Sequence, residues 1–180
     1  MPSVFEHVTS VPVPSSSAIA HFYESWHLAD AFAIRLPAQA SANPELLVRF
    51  IVAQQPAWIG WLTRVRDVIV ARFGLKTAKQ LASLADRIGV FKVYSANQRE
   101  VVLGEDDKHL DFRVSLLCSG EAGPQGRREI IVSTVVQCHN RLGRTYLFII
   151  APFHRMVVRA SLVRAARVGW PLAIPAVCAP

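Results

Sequence analysis

The 180-residue chain carries 20 Lys and Arg against 13 Asp and Glu, giving a net charge of +7 and a pI near 9.9, and 52% of its residues are hydrophobic. That length and apolar content fit one domain with a substantial core and argue against two. The basic excess is dispersed, since 16 of the basic residues are Arg spread from Arg35 to Arg167, so it reads as a solvated surface with no nucleic-acid partner. No apolar run reaches membrane-spanning length without a charged or polar break, so no membrane span is expected. The first twenty residues lack the basic start and apolar centre of a secretory signal, and the chain is read as cytoplasmic.

Residues 1–20, rich in Pro and Ser and without a period, read as a loose N-terminal arm. Alternation over 29–36 gives a first strand that Pro37 ends. Asn43, Pro44 and Glu45 open a short helix running to about Gln54, because an Asn side chain accepts from free amides and Pro suits the first helical position. A second, amphipathic helix follows from Pro56 to Gly74, with Trp58, Trp61, Leu62, Val65, Val68, Ile69 and Phe73 at three- and four-residue spacing. Its two Trp read as core, with a cavity lining as the alternative. Residues 76–87 are a further helical turn or loop.

From Gly89 the period falls to two. Strands are expected over 90–95, 99–103, 109–118, 129–139 and 144–150, with Asn97, 104–108, the Gly-rich stretch 119–128 and the turn 140–143 between them. Leu110, Phe112, Val114, Leu116 and Cys118 share a buried face, whereas His109, Asp111, Arg113 and Ser115 share a polar one. Pro152 starts the last helix, which runs to about Val168 with Phe153, Val157, Val158, Ser161, Leu162, Ala165 and Val168 as its apolar arc and His154 inside that arc. Arg155, Arg159, Arg164 and Arg167 fall outside it. The organisation is one α+β domain over 21–170, an antiparallel curved sheet of five or six strands around a long C-terminal helix, followed by a tail over 171–180.

Chemistry-bearing residues are few. Cys118, Cys138 and Cys178 have neither metal spacing nor an even count, and the first two sit on inward strand positions as small buried hydrophobes. The six His are scattered with no metal-ligand pattern, the glycines form no phosphate-binding loop, and no serine nucleophile elbow is present, so neither metal nor cofactor is expected. His109, Asp111 and Arg113 read as a solvated strand face stabilised by cross-strand pairs, or as a proton-transfer group if that face lines a pocket. His154, an imidazole among Phe153, Val158 and Leu162, must find a hydrogen bond. Thr134, Asn140 and Tyr146, all expected to face the helix, are its candidate partners. Anchor and site residue both remain open readings for it.

The order of elements resembles the helix-grip fold of the birch-pollen-allergen and lipid-transfer superfamily (Bet v 1-like, START, SRPBCC). At the residue level, Ala29-Asp-Ala-Phe, Gly104-Glu-Asp-Asp-Lys-His-Leu-Asp-Phe-Arg113, Thr134-Val-Val-Gln-Cys-His-Asn140, Gly143-Arg-Thr-Tyr146 and Pro152-Phe-His-Arg155 resemble the phrases of DUF2867, a bacterial domain family of unknown function. The helix-grip resemblance implies a cavity between sheet and last helix that holds an apolar or aromatic small molecule, with Trp58, Tyr94, Arg113, Thr134, Asn140, Tyr146 and His154 as binding candidates. An enzyme of the cyclase or dehydratase kind, acting on a polyketide-like or aromatic substrate, is the alternative. It would use His154, or the His109/Asp111 pair, for proton transfer. A third reading docks the Arg-rich face of the last helix on an acidic partner or an anionic membrane. A homodimer is left open.

Overall fold

A computed structural model describes residues 7–60, 87–89, 91–120 and 128–173. The alternating segments form β2 (Leu28–Arg35), β4 (Phe91–Ala96), β5 (Glu100–Asp106), β6 (Leu110–Ser119) and β7 (Glu129–Cys138), and two short edge strands join them, β1 (Thr9–Val11) and β3 (Arg87–Ile88). All pair antiparallel in one open sheet ordered β1-β2-β7-β6-β5-β4-β3. The helices are α1 (Pro44–Ala53) and α2 (Arg141–Val168), so the α+β expectation holds. Asn43 caps α1 as expected, its side chain accepting from the Leu46 amide at 3.0 Å. The amphipathic helix expected over 56–74 is described only at its first turn, residues 57–60, and Trp61 and the rest lie outside the described residues, as does most of the 119–128 loop.

The largest departure concerns 140–150. In place of a tight turn and a last strand, Asn140 caps α2 by accepting from the Gly143 amide at 2.9 Å, and the helix runs unbroken through Pro152. The run Thr145, Tyr146, Leu147, Phe148, Ile149, Ile150 is rich in β-branched and aromatic residues, and a short apolar run of this kind has no period that separates strand from helix. Splitting the helix at Pro152 also hid its length. As one element of 28 residues, α2 is long and apolar enough to cross a membrane by length and composition, although no part of the expectation above had it so. The count of seven strands replaces five or six because β1 and β3 are too short to show a period.

One sheet face packs on the helices. Phe32, Ile34, Val101, Leu103, Leu116 and Ile130 meet Leu47, Val48 and Ile51 of α1 and Leu162 and Ala165 of α2. Burying Leu162 contributes about 1.5–3 kcal/mol. Farther along α2, Leu147 sits on Leu28, Val136 and Cys138. Val158, Ser161, Leu162 and Ala165 of the expected apolar arc face inward, whereas Phe153 and Val168 at its ends point outward.

The other face is not solvated either. Residues 8–20, expected to be a loose arm, lay Ile19 on Val102 and Val135, and Val11 and Val13 on Ala31, Ala33 and Ile131. Glu100, buried on this face, accepts from the Ser17 hydroxyl at 2.6 Å, from the Ala18 amide at 2.9 Å and from the Ser115 hydroxyl. At the other end, Trp170 is buried against Phe50, and residues 171–173 pair with residues 39–41 through the Ser41 amide on the Pro171 carbonyl and the Ala173 amide on the Gln39 carbonyl. The expected tail therefore starts as a docked segment.

Candidate functional site

The expected site residues are distributed over four places. The first lies under α2, where Asp30 of β2 and Thr134 of β7 are register partners on the face toward the helix. His154 comes down on both, with Nε2 at 3.1 Å from Thr134 Oγ1 and 3.5 Å from Asp30 Oδ1. Arg155 Nε approaches Asp30 Oδ2 at 3.3 Å from the helix surface. Thr134 is buried, Asp30 nearly so, and His154 half-buried. At 3.5 Å the Asp30 contact is longer than a hydrogen bond, so the hydroxyl is the nearer partner and the carboxylate adds a charge. Asp30 was not among the sequence candidates. Its signal was present: a lone carboxylate at an inward strand position between Leu28 and Phe32, where only a partnered charge is stable. Both partners engage the same imidazole nitrogen and tie the middle of α2 to the neighbouring strands β2 and β7, the geometry of an anchor. Of the other expected partners, Asn140 caps α2, and Tyr146 lies on the same helix as His154, about two turns before it.

Asn140 marks the second place. Its side-chain nitrogen lies 2.9 Å from His109 Nδ1, while Asp111 meets His139 Nε2 at 3.0 Å and accepts from the Asp107 amide. His109 and Asp111 thus have separate partners at a sheet corner. Gly143 belongs to the same corner: a Cβ there would stand 2.1 Å from the His109 carbonyl oxygen, so only glycine lets the first turn of α2 close on β6.

The third place is on the opposite sheet face, where Arg113 was expected in solvent and is buried instead. Its guanidinium stacks 3.7 Å from the Tyr94 ring centroid and 4.6 Å from that of Phe22, and pairs with Asp106 at 2.6 Å. The Tyr94 hydroxyl donates to the same carboxylate at 2.6 Å. Burial raises the Asp106 pKa, but the hydrogen bonds from Tyr94 and Arg113 and the charges of Arg113 and Lys92 outweigh it and hold the carboxyl below its usual range. Burial, and then the bond to Asp106, pushes the Tyr94 phenol up. Tyr23, beside this group, is pushed up to about 12 by burial despite the opposing charge of Arg113. Tyr94 and Arg113 are thereby engaged with each other in holding the covering segment.

Trp58 stands at the fourth place, a surface cleft of about 750 Å³ between residues 55–58 and the last turns of α2. Pro56, Trp58, Ala160 and Val163 give it an apolar lining, and Arg159, Arg164 and Arg167 line it as well, with no acidic side chain among the described lining residues. The space between sheet and α2, where a cavity was expected, holds the packed core instead. Among the described residues no three His, Cys, Asp or Glu side chains converge as metal ligands.

No curated protein matches the chain, and no solved structure does. A family model described as "Protein of unknown function (DUF2867)" matches residues 22–161, from the covering segment across all the long strands into the last third of α2. With more than three quarters of its length matched, the chain belongs to the DUF2867 family.

Proposed function

We propose that the protein is a binding module for an apolar or aromatic small molecule that carries an anionic group, held in the cleft between Trp58 and the last turns of α2. The observation that carries this reading is the lining: among the described residues, an indole and small aliphatic side chains with three Arg and no carboxylate. A volume of about 750 Å³ lies within the range of small-molecule sites, roughly 300–1,000 Å³. Arg guanidinium groups match carboxylate, sulfonate or phosphate oxygens in bidentate geometry, while Trp58 offers a ring face. The expected ligand class is kept and its location moves from beneath α2 to its outer side, because the interior beneath the helix is filled. The sheet with its long C-terminal helix supports the helix-grip resemblance, and fold likeness alone carries no activity.

Titration with anilinonaphthalene sulfonate and with a medium-chain fatty acid, read by fluorescence and calorimetry, tests this. Saturable binding is expected, weakened about tenfold or more by Ala160→Trp, which fills the cleft, and by Arg164→Glu, which reverses its charge. Absence of binding by wild-type protein, or equal affinity in a folded Ala160→Trp variant, would overturn the proposal.

A further inference from the structure

The first half of α2 is rich in apolar residues on its outer as well as its inner side. Leu147 and His154 face the sheet. On the opposite side Leu142, Ile149, Phe153 and Met156 follow one another at helical spacing, with Phe148 beside them, and all are exposed, Phe148 to 83%. Only 17% of the most apolar stretch of this helix is buried. The row from Leu142 to Met156 is about 21 Å long at 1.5 Å per residue. Beside it α2 carries Arg141 and Arg144, whereas Arg155 pairs with Asp30 and Arg159 donates to the Val8 carbonyl, and the helix contains no Asp or Glu at all.

We propose that this outer face of α2 docks on an anionic lipid bilayer, with Phe148, Ile149, Phe153 and Met156 entering the headgroup boundary and the flanking Arg meeting lipid phosphates. A helix with apolar residues on the exposed side and Arg at its margins lies in the interface plane, its long basic side chains reaching the headgroups. The inner side is fixed to the sheet through Leu147, His154 and Leu162, so α2 lies on the bilayer and does not cross it. A second copy of the chain fits poorly, because a two-fold contact through α2 would bring Arg against Arg with no carboxylate between them. Residues 61–86 of the chain itself carry five basic residues against two acidic ones, so they do not supply the missing negative charge. A convex helix face with no groove also suits a fluid bilayer better than a protein partner, which would need matching pockets for each ring.

The test is co-sedimentation of the full chain with phosphatidylcholine vesicles and with the same vesicles containing about one third phosphatidylglycerol, at low and at high salt. Binding is expected to the anionic vesicles, about tenfold or more tighter than to the neutral ones, and to weaken as salt rises. Phe148→Ser with Phe153→Ser should abolish it while the melting temperature stays at the wild-type value. If that pair fails to fold, Phe148→Ser alone, at the most exposed ring, and Arg141→Glu with Arg144→Glu provide the same readout. Failure of the wild type to bind anionic vesicles, or undiminished binding by the folded variants, would refute the proposal. So would a dimer in sedimentation velocity that Phe148→Ser dissociates, since the face would then belong to a second copy. The cleft variants Ala160→Trp and Arg164→Glu leave this face intact, and ligand binding can fail without affecting vesicle binding.

Discussion

Removing the His154 imidazole separates an anchor from a poised site residue. His154→Ala deletes the contact with Thr134 and leaves a buried hydroxyl with no other described partner, along with the Asp30 oxygen at 3.5 Å. A buried polar group left unsatisfied costs about 1–3 kcal/mol. For a domain of this size each kcal/mol moves the melting temperature by about 2–4 °C, so the variant should melt about 2–12 °C lower. His154→Gln, which keeps a donor and an acceptor, should recover part of that loss. Thr134→Val removes the partner from the other side, and in a double-mutant cycle the two substitutions should be coupled by at least about 0.5 kcal/mol. Thermal and urea denaturation followed by circular dichroism give these values. A His154→Ala variant that melts within about 1 °C of wild type, or strict additivity with Thr134→Val, would refute the anchor.

Gly143→Ala should be among the more damaging single-methyl changes available, because its Cβ would stand 2.1 Å from a backbone oxygen and the first turn of α2 would have to move away from β6; a loss of about 1–3 kcal/mol in urea is expected, and an unchanged midpoint would contradict the close approach. Asp106 gives a pH signature. Its folded pKa lies below the ordinary 3.8, so the stability it contributes is present above that value and is lost as pH falls through the lower folded one. The melting-temperature gap between wild type and Asp106→Asn should stay level from about pH 7 to 5 and close below about pH 4. It should be small, because the carboxylate is half exposed and solvent screens it, and a gap as wide at pH 3 as at pH 7 would contradict the assignment.

What could be read in the sequence followed from signals that are local. Asn43 before Pro44 marked α1, and the alternation of Leu110 to Cys118 fixed β6 and its inward face, because capping and period two depend on a few neighbouring residues. The 140–150 stretch failed because Asn140 serves equally as a turn residue and as a helix cap, and because Pro152 can start a helix or sit within one whose outer side is in solvent. The polar face of β6 failed for a different reason. Whether Arg113 and Ser115 meet water is decided by residues 8–23, about a hundred positions away, and no period within β6 records that cover. Of the candidate site, His154 was visible as an odd polar residue on an inward face, and Thr134 was one of three candidate partners beside Asn140 and Tyr146. Asp30 carried the same mark and completes the group with them. The cleft beside Trp58 depends on where residues 55–58 meet α2, a tertiary approach that helical spacing alone does not specify.

The cover on the second face has its own logic, which turns on Glu100. A buried carboxylate is tolerated only when donors surround it, and here two of its three donors, the Ser17 hydroxyl and the Ala18 amide, come from the N-terminal segment while Ser115 alone comes from the sheet. The segment in turn has few apolar contacts of its own besides Val11, Val13, Ile19 and the Phe22–Tyr23 pair, so the carboxylate and the segment each make the other's position stable. The family match begins at residue 22, inside this cover: Phe22 and Tyr23, beside Arg113, lie within it, and Ser17 and Ile19 lie before it. Among the described residues this face is covered by the segment, and the opposite one packs on α1 and α2. Both proposed recognition surfaces lie on the outer side of α2, the cleft with its three Arg at one end and the exposed apolar row at the other.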